Sequence, residues 1–411
     1  MSTRIEPNAL DPDLIADPYA GYGALREEAP VLRGTAVDGS PAWYVTRQED
    51  VRTVLSDPRF VNDPASVTEA EVDDVRRRMM TAFGLTEDLT RYITDSILDR
   101  DGPGHARLRK LVSRAFTVRR VEALRPRVAE IAADLLDRMP ERADLMTAYA
   151  YPLPVTVICE LVGVPEADRH RWREWAHALF SMQPEKFPTA IREMVDHVRE
   201  LAAVRRAEPA DDLLSGLLEA QEADGDRLTE DELITMVLTL VLAGHETTAN
   251  LIGNGVQALL SHPEQLDLLR RDPGRWPTAV HELMRWGGPI LMTRLRFAAT
   301  DVELGGTRIA AGDAVQAVLV SANRDPRVYD DPDRLDVTRR PAGRGEGHVG
   351  FGHGPHYCLG AALARLEAEV ALPALFDRFP DLAPETAEPA WDRVPSMRRL
   401  ATLPLLTGGR V

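Results

Sequence analysis

The stretch Phe351-Gly352-His353-Gly354-Pro355-His356-Tyr357-Cys358-Leu359-Gly360 decides the reading of this chain. Two glycines and a proline precede a cysteine, and an amphipathic run, Leu359 to Phe379, follows it. This pattern predicts a tight turn and then a helix that opens at the sulfur. A helix N-terminus favours negative charge, so the thiol is expected to ionise easily. Glycines on either side let a flat ligand approach the backbone closely. A buried structural cysteine is the competing reading of the same residue. Pro373 lies well inside the following run, where a missing N–H predicts a bend or a break.

Outward from this loop, most of the chain carries apolar residues at three- and four-residue spacing, predicting helices over Val121–Met139, Phe187–Arg206, Thr229–Ser261, Thr278–Trp286 and Leu359–Phe379. Short alternating runs predict strands at Ala42–Thr46, Val302–Leu304, Thr307–Ile309 and Ala314–Val320, with Gly305-Gly306 as a hairpin turn. The fold class is therefore mainly α, with a large helical region and a small β-rich region. The 411 residues show neither a Ser/Gly linker nor an internal repeat, so one domain over 1–411 is expected. A net charge of −16 argues against nucleic-acid binding. No apolar run approaches the length of a membrane span, and the N-terminus carries no apolar signal core, so a soluble cytoplasmic protein is expected. Only two cysteines occur. Cys159 sits in the apolar run Val155–Val164 and reads as core.

The second chemical motif lies on the longest predicted helix. Thr229 and Glu232 form a capping box at its start. An all-round apolar run then reaches Ala243-Gly244-His245-Glu246-Thr247-Thr248. Acid and hydroxyl groups inside a buried helix are costly unless hydrogen-bonded or used. Threonine hydroxyls bond the carbonyl one turn back and loosen the ladder, which admits water. The alternative is a charge exposed where the helix emerges. A third motif, Glu282-Leu-Met-Arg285, puts an acid and a base on one helical face.

The spacing Phe-x-x-Gly-x-x-x-Cys-x-Gly resembles the haem-binding signature of the cytochrome P450 family. The likeness extends over nearly the whole chain, including Arg107-Leu-Arg-Lys-Leu-Val-Ser-Arg-Ala-Phe116 and Ser321-Ala-Asn-Arg-Asp-Pro326, and its overall look is that of soluble actinomycete members acting on polyketides and macrolides. The resemblance implies haem b buried between two long helices. Cys358 would be the thiolate ligand of its iron, with Phe351, Gly352 and Gly360 shaping the loop. Ala243-Gly244-x-Glu246-Thr247-Thr248 is similar to the family's oxygen-activation motif. It implies that Thr247 hydrogen-bonds the dioxygen being activated, that Glu246 relays protons, and that small Ala243 and Gly244 pass close over the porphyrin. Glu282, Arg285 and Arg339 match a buried triad that braces the cysteine loop. His105, Arg109, Arg296 and His356 match the partners of the haem propionates. At about 100° per residue, His105 and Arg109 share a face, while Arg107, Lys110 and Arg114 lie roughly opposite.

Leu85, Leu89 and Ile93 in the covering segment 83–97 are expected to line a substrate pocket. So are Thr239 and Leu242 on the long helix, Leu291 and Met292 before Arg296, and Met397 near the C-terminus. Ordinary core packing is the alternative for each. The set is apolar and implies a bulky hydrophobic substrate. Glu87, Asp88 and Asp95 would suit an amino sugar, though solvated loop charges explain them as well. The implied reaction is hydroxylation or epoxidation with O2, on a polyketide- or macrolide-type metabolite or else a steroid or other terpenoid. Peroxide-driven, coupling or dehydration chemistry at the same haem is a further alternative. Electrons would come from a ferredoxin and its reductase docking on Arg107, Lys110 and Arg114, with the protein a monomer. A zinc or structural site using His348, His353, His356 and Cys358 is a rival from a different class.

Overall fold

The computed structural model describes residues 6–67, 75–180, 185–223, 228–341 and 345–408. The chain divides into two compact units. One comprises Met1–Ala70, Ala132–Ala150 and Thr247–Val411; the other comprises Glu71–Ile131 and Tyr151–Glu246. The helix Glu230–Ser261 runs unbroken through the point of division. Its capping box is formed: the Thr229 amide donates to Glu232 Oε2 at 2.8 Å, and the Glu232 amide donates to Thr229 Oγ1 at 3.2 Å.

The first unit carries the β structure. Its main sheet has the strand order Val31–Thr35, Pro41–Val45, Ala314–Ala317, Arg296–Ala298 and Phe60–Val61. All neighbours are antiparallel except the central pair, where Tyr44 faces Gln316 in a parallel register. Val31, Val45, Val54, Phe60, Val315 and Val349 pack into one buried cluster beneath it. Val349 belongs to the approach to the cysteine loop, so the loop is rooted in the core of the sheet. The hairpin Val302–Leu304/Thr307–Ile309 turns at the two glycines as expected. In the second unit the described residues form helices and no strands, among them Glu87–Thr94, Gly102–Ala115, Pro152–Val162 and Phe187–Ala207. Among the described residues no helix is long and apolar enough to cross a membrane.

Several local expectations are corrected. The helix after the cysteine begins at Ala361, with Gly360 as its cap, and not at the sulfur. Leu359 and Gly360 form a turn between them, so the favourable field of the helix end acts on Cys358 from outside the first turn, where it weakens. Pro373 sits inside one continuous helix, Ala361–Arg378. The predicted helix Val121–Met139 is two helices, Val118–Ala123 and Arg125–Arg138. Pro126 cannot donate to the Glu122 carbonyl, so the first helix ends and a second begins. The strand expected over Ala314–Val320 stops at Ala317 and gives way to a short helix, Leu319–Ala322. A short apolar run does not distinguish these two states.

Candidate active site

In the first unit the cysteine loop is held by its own backbone. The Cys358 amide donates to the Phe351 carbonyl at 2.8 Å, and the Gly352 amide donates to Val349 at 2.9 Å. Gly354 has φ +71, and a Cβ there would stand 2.6 Å from the Leu55 carbonyl oxygen. Only glycine lets the loop press onto the end of the helix Gln48–Ser56 at that point. Phe351 is buried, whereas Cys358 retains accessible surface and a Cβ on Gly360 would meet nothing within 4 Å. Cys159 is its opposite: buried, with burial pushing its thiol up to about 12. That matches the reading of Cys159 as core.

Glu282, Arg285 and Arg339 are brought together. Arg285 Nε donates to Glu282 Oε2 at 2.7 Å and its Nη2 to Oε1 at 2.8 Å, while Arg339 Nε donates to Oε1 at 3.2 Å. The network continues toward the cysteine. Arg285 Nη1 donates to the Asn323 carbonyl at 2.9 Å, and Asn323 Oδ1 accepts the Val349 amide at 2.8 Å. Asn323 was not singled out from sequence. Its role rests on partners 38 and 26 positions away, which no local pattern signals.

The strand Phe60–Val61 anchors two of the cationic candidates. The Phe60 carbonyl accepts Arg296 Nη1 at 3.4 Å, and Asn62 Nδ2 meets His356 Nε2 at 2.9 Å just past the strand end. Arg296 is 5% exposed. In the second unit His105 is equally buried on the helix Gly102–Ala115, with Arg109 half-buried one turn on. Arg107 is ion-paired to Glu232, while Lys110 and Arg114 are exposed. Arg107 is thus partly withdrawn from the basic face drawn for a docking partner.

The long helix carries the remaining groups. It is buried over Leu233–Leu238 and again over Thr248–Val256. Between these stretches Thr239, Leu240, Leu242, Ala243, Gly244 and Thr247 keep accessible surface; Thr239, Ala243 and Thr247 share one side at four-residue spacing, with Leu242 and Gly244 about 100° to either side of it. Glu246 is 3% exposed and accepts a hydrogen bond from Tyr151 Oη at 3.0 Å. His245 is fully buried with Nδ1 2.7 Å from the Val241 carbonyl, and burial holds its imidazole down to about 4. It is therefore neutral near pH 7 and committed to the helix backbone.

The pocket candidates divide. Leu291 and Met292 pack in a core cluster with Tyr22, Tyr44 and Val318, and Leu85 and Leu89 are also buried. Burial of these four is what ordinary packing and the lining of an enclosed pocket both require. Ile93, Thr239, Leu242 and Met397 retain accessible surface. The covering segment is not a simple loop, because Glu87–Thr94 is helical. Asp95 is paired with Arg77 at 2.8 Å, so it is not a free anion awaiting an amino sugar.

The zinc alternative does not fit. Among the described residues Cys358 joins no cluster of three potential ligands; the cluster that forms is His281, Glu346 and His348. Burial, His281, Arg285 and Arg52 together hold His348 down to about 3, and burial with Arg365 lowers His281. The same arginines would repel a dication. The cysteine loop suits a haem thiolate better: its thiol keeps accessible surface, glycines border it, and buried Arg296 in the same unit offers a cation suited to a carboxylate.

Comparison with known proteins agrees. The sequence matches the family described as "Cytochrome P450" over residues 172–272 and 277–404. It is 46% identical to cytochrome P450 107B1 of Saccharopolyspora erythraea, covering 99% of this chain and 100% of that protein. It is 42% identical to 6-deoxyerythronolide B hydroxylase of the same organism, covering 97% and 99%. The solved structure of the Bacillus subtilis bacillaene polyketide synthase cytochrome P450 PksS superposes with a TM-score of 0.86 at 36% identity, covering 98% of this chain and 99% of that one. Likeness of this depth over almost the full length, in sequence and in fold, means that the chain belongs to the cytochrome P450 family and is a P450 monooxygenase.

Proposed function

We propose that this monooxygenase binds haem b through Cys358 and inserts one atom of O2, by hydroxylation or epoxidation, into a bulky apolar small molecule of the polyketide or macrolide class. The observation that carries the reading is the accessible line of Thr239, Ala243 and Thr247 on a largely buried helix, with Glu246 buried beside it. The names of the relatives support the substrate class: one hydroxylates 6-deoxyerythronolide B, and another belongs to a polyketide synthase. The chain then serves as one functional domain.

By the family resemblance, Arg296, His356, His105 and Arg109 would hold the propionates by charge-assisted hydrogen bonds. Phe351, Gly352 and Gly360 shape the loop around the sulfur. When bound, a haem-thiolate centre supplies reductive activation of dioxygen. The chain itself manages protons: Thr247 offers a hydroxyl on the accessible side of the helix, and Glu246 beside it passes protons inward. Ile93, Thr239, Leu242 and Met397 orient the apolar substrate. Electrons arrive from a ferredoxin and its reductase, attracted to Lys110 and Arg114. The protein acts as a monomer.

The test is spectroscopic. The reduced, carbon-monoxide-treated protein should show the strongly red-shifted Soret band of a thiolate-bound haem, and Cys358→His should lose that shift while keeping a haem band. A Cys358→His protein with the parental spectrum would overturn the ligand assignment. Macrolide and polyketide candidates should shift the ferric spin state at lower concentration than steroids; the reverse order would overturn the substrate class.

A further inference from the structure

We propose that Tyr151 is a positioning and relay residue, the outward link that orients Glu246 and passes protons to it from solvent. This deepens the oxygen-activation role proposed for Glu246 and rests on it. The central observation is the hydrogen bond from Tyr151 Oη to Glu246 Oε1 at 3.0 Å. It joins a half-buried phenol to a carboxylate that is 3% exposed. Both residues lie in the second unit.

A phenol is both donor and acceptor. A proton bound by its oxygen from a solvent water can therefore release the phenolic proton to the carboxylate. One O–H bond forms on Glu246 as one breaks on Tyr151, and the water restores the phenol. The net change is one proton carried inward, with no redox step. Glu246 has almost no surface of its own to do this directly.

The phenol stands on a fixed base. Tyr151 immediately precedes the helix Pro152–Val162 and follows the short π-helical segment Met146–Ala150. Pro152 and Pro154 restrict the backbone after it. The same helix also meets the long helix at a second point, because a Cβ on Gly244 would lie 3.4 Å from Ile158 Cδ1. The phenol itself, and not that packing contact, sets the Glu246 side of the long helix, because positions 244 and 246 lie about 200° apart around its axis. Neighbouring His245 is buried, with its Nδ1 engaged by the Val241 carbonyl.

The test uses Tyr151→Phe, Tyr151→His and Glu246→Gln in the haem-loaded protein. Loss of a hydrogen bond to a charged group should raise the ionisation midpoint of Glu246, a change of roughly tenfold in its ionisation constant. This is read from its carboxyl infrared band in the substrate-free ferric protein, assigned by Glu246→Gln. In turnover, Tyr151→Phe should raise the solvent deuterium isotope effect and divert reducing equivalents to peroxide, and Tyr151→His should restore part of the coupling. If Tyr151→Phe leaves the infrared midpoint and the isotope effect unchanged while Glu246→Gln disturbs coupling, the inference fails and the role of Glu246 stands. If Glu246→Gln leaves coupling intact, the role of Glu246 fails first and this inference with it.

Discussion

Replacing Glu282 by glutamine tests whether the triad braces the cysteine loop. Glu282 and Arg285 side chains are 1% and 2% exposed, and Arg339 is 16% exposed. Glutamine preserves shape but removes the anion that faces two guanidinium groups, and it turns an amide N–H₂ toward one of them. Stranding a buried charge in this way costs about 3–5 kcal/mol. Unfolding entropy of about 2.1 cal/mol/K per residue over 411 residues makes each degree worth roughly 0.9 kcal/mol when the chain unfolds together. The melting point should therefore fall by roughly 3–6 °C. The local effect should be specific: the path from Arg285 through Asn323 to Val349 leads to the cysteine loop, so the variant should also convert from the thiolate-type carbon-monoxide spectrum to the unshifted one at lower temperature than the parent.

A paired variant sharpens the reasoning. Replacing both partners of an isolated buried ion pair by apolar residues often restores stability. Arg285 is not so isolated, because it also donates to the carbonyls of Asn323, Pro332 and Arg334. Glu282→Leu/Arg285→Met should thus stay as unstable as Glu282→Gln. Breaking the half-exposed pair Arg199–Asp196 should leave the melt near the parent. A Glu282→Gln protein that melts within about 1 °C of the parent and keeps its spectrum would refute the bracing role.

Thr247→Ala should lower product formed per reducing equivalent and raise peroxide, read by product and peroxide assays on the same reaction; unchanged coupling would point to peroxide-driven chemistry instead. Reversing Lys110 and Arg114 to glutamate should slow ferredoxin-supported turnover and flatten its dependence on salt, while peroxide-supported turnover stays at the parental rate. Acid should destabilise the fold through His245 and His348, held neutral in the folded state down to about 4 and about 3. Between an unfolded value near 6.5 and those folded values the unfolded chain binds more protons. Stability should then fall with pH by about 1.4 kcal/mol per unit for each histidine. In urea melts from pH 6 to 5, His245→Gln should show a slope shallower by about that amount.

What was legible in the sequence follows the range of the interactions concerned. The capping box of Thr229 and Glu232, the hairpin at Gly305-Gly306 and the pairing of Glu282 with Arg285 lie within a few residues, and each reads directly from spacing. The main sheet does not, because its parallel pair joins Tyr44 to Gln316 and no local pattern encodes that partner. Val31–Thr35 escapes a reading by alternation for a different reason: its partner Pro41–Val45 is close in sequence, but Arg33 and Gly34 break the apolar pattern of the strand. The helix start after Cys358 was misread because apolar periodicity marks the helix but not its first turn; the glycine cap at 360 sets that. Pro373 does not break the helix Ala361–Arg378, since a penalty of a few kcal/mol falls within what tertiary packing along it can offset. The proton path shows the rule most plainly. Glu246 announces itself as an acid in an apolar helix, but the phenol that reaches it is 95 positions away, beside two prolines whose local meaning is only a helix start. Motifs identify the groups that do chemistry; the side chains that position them, Tyr151, Asn323 and Asn62, are recognisable only once the fold has brought distant segments together.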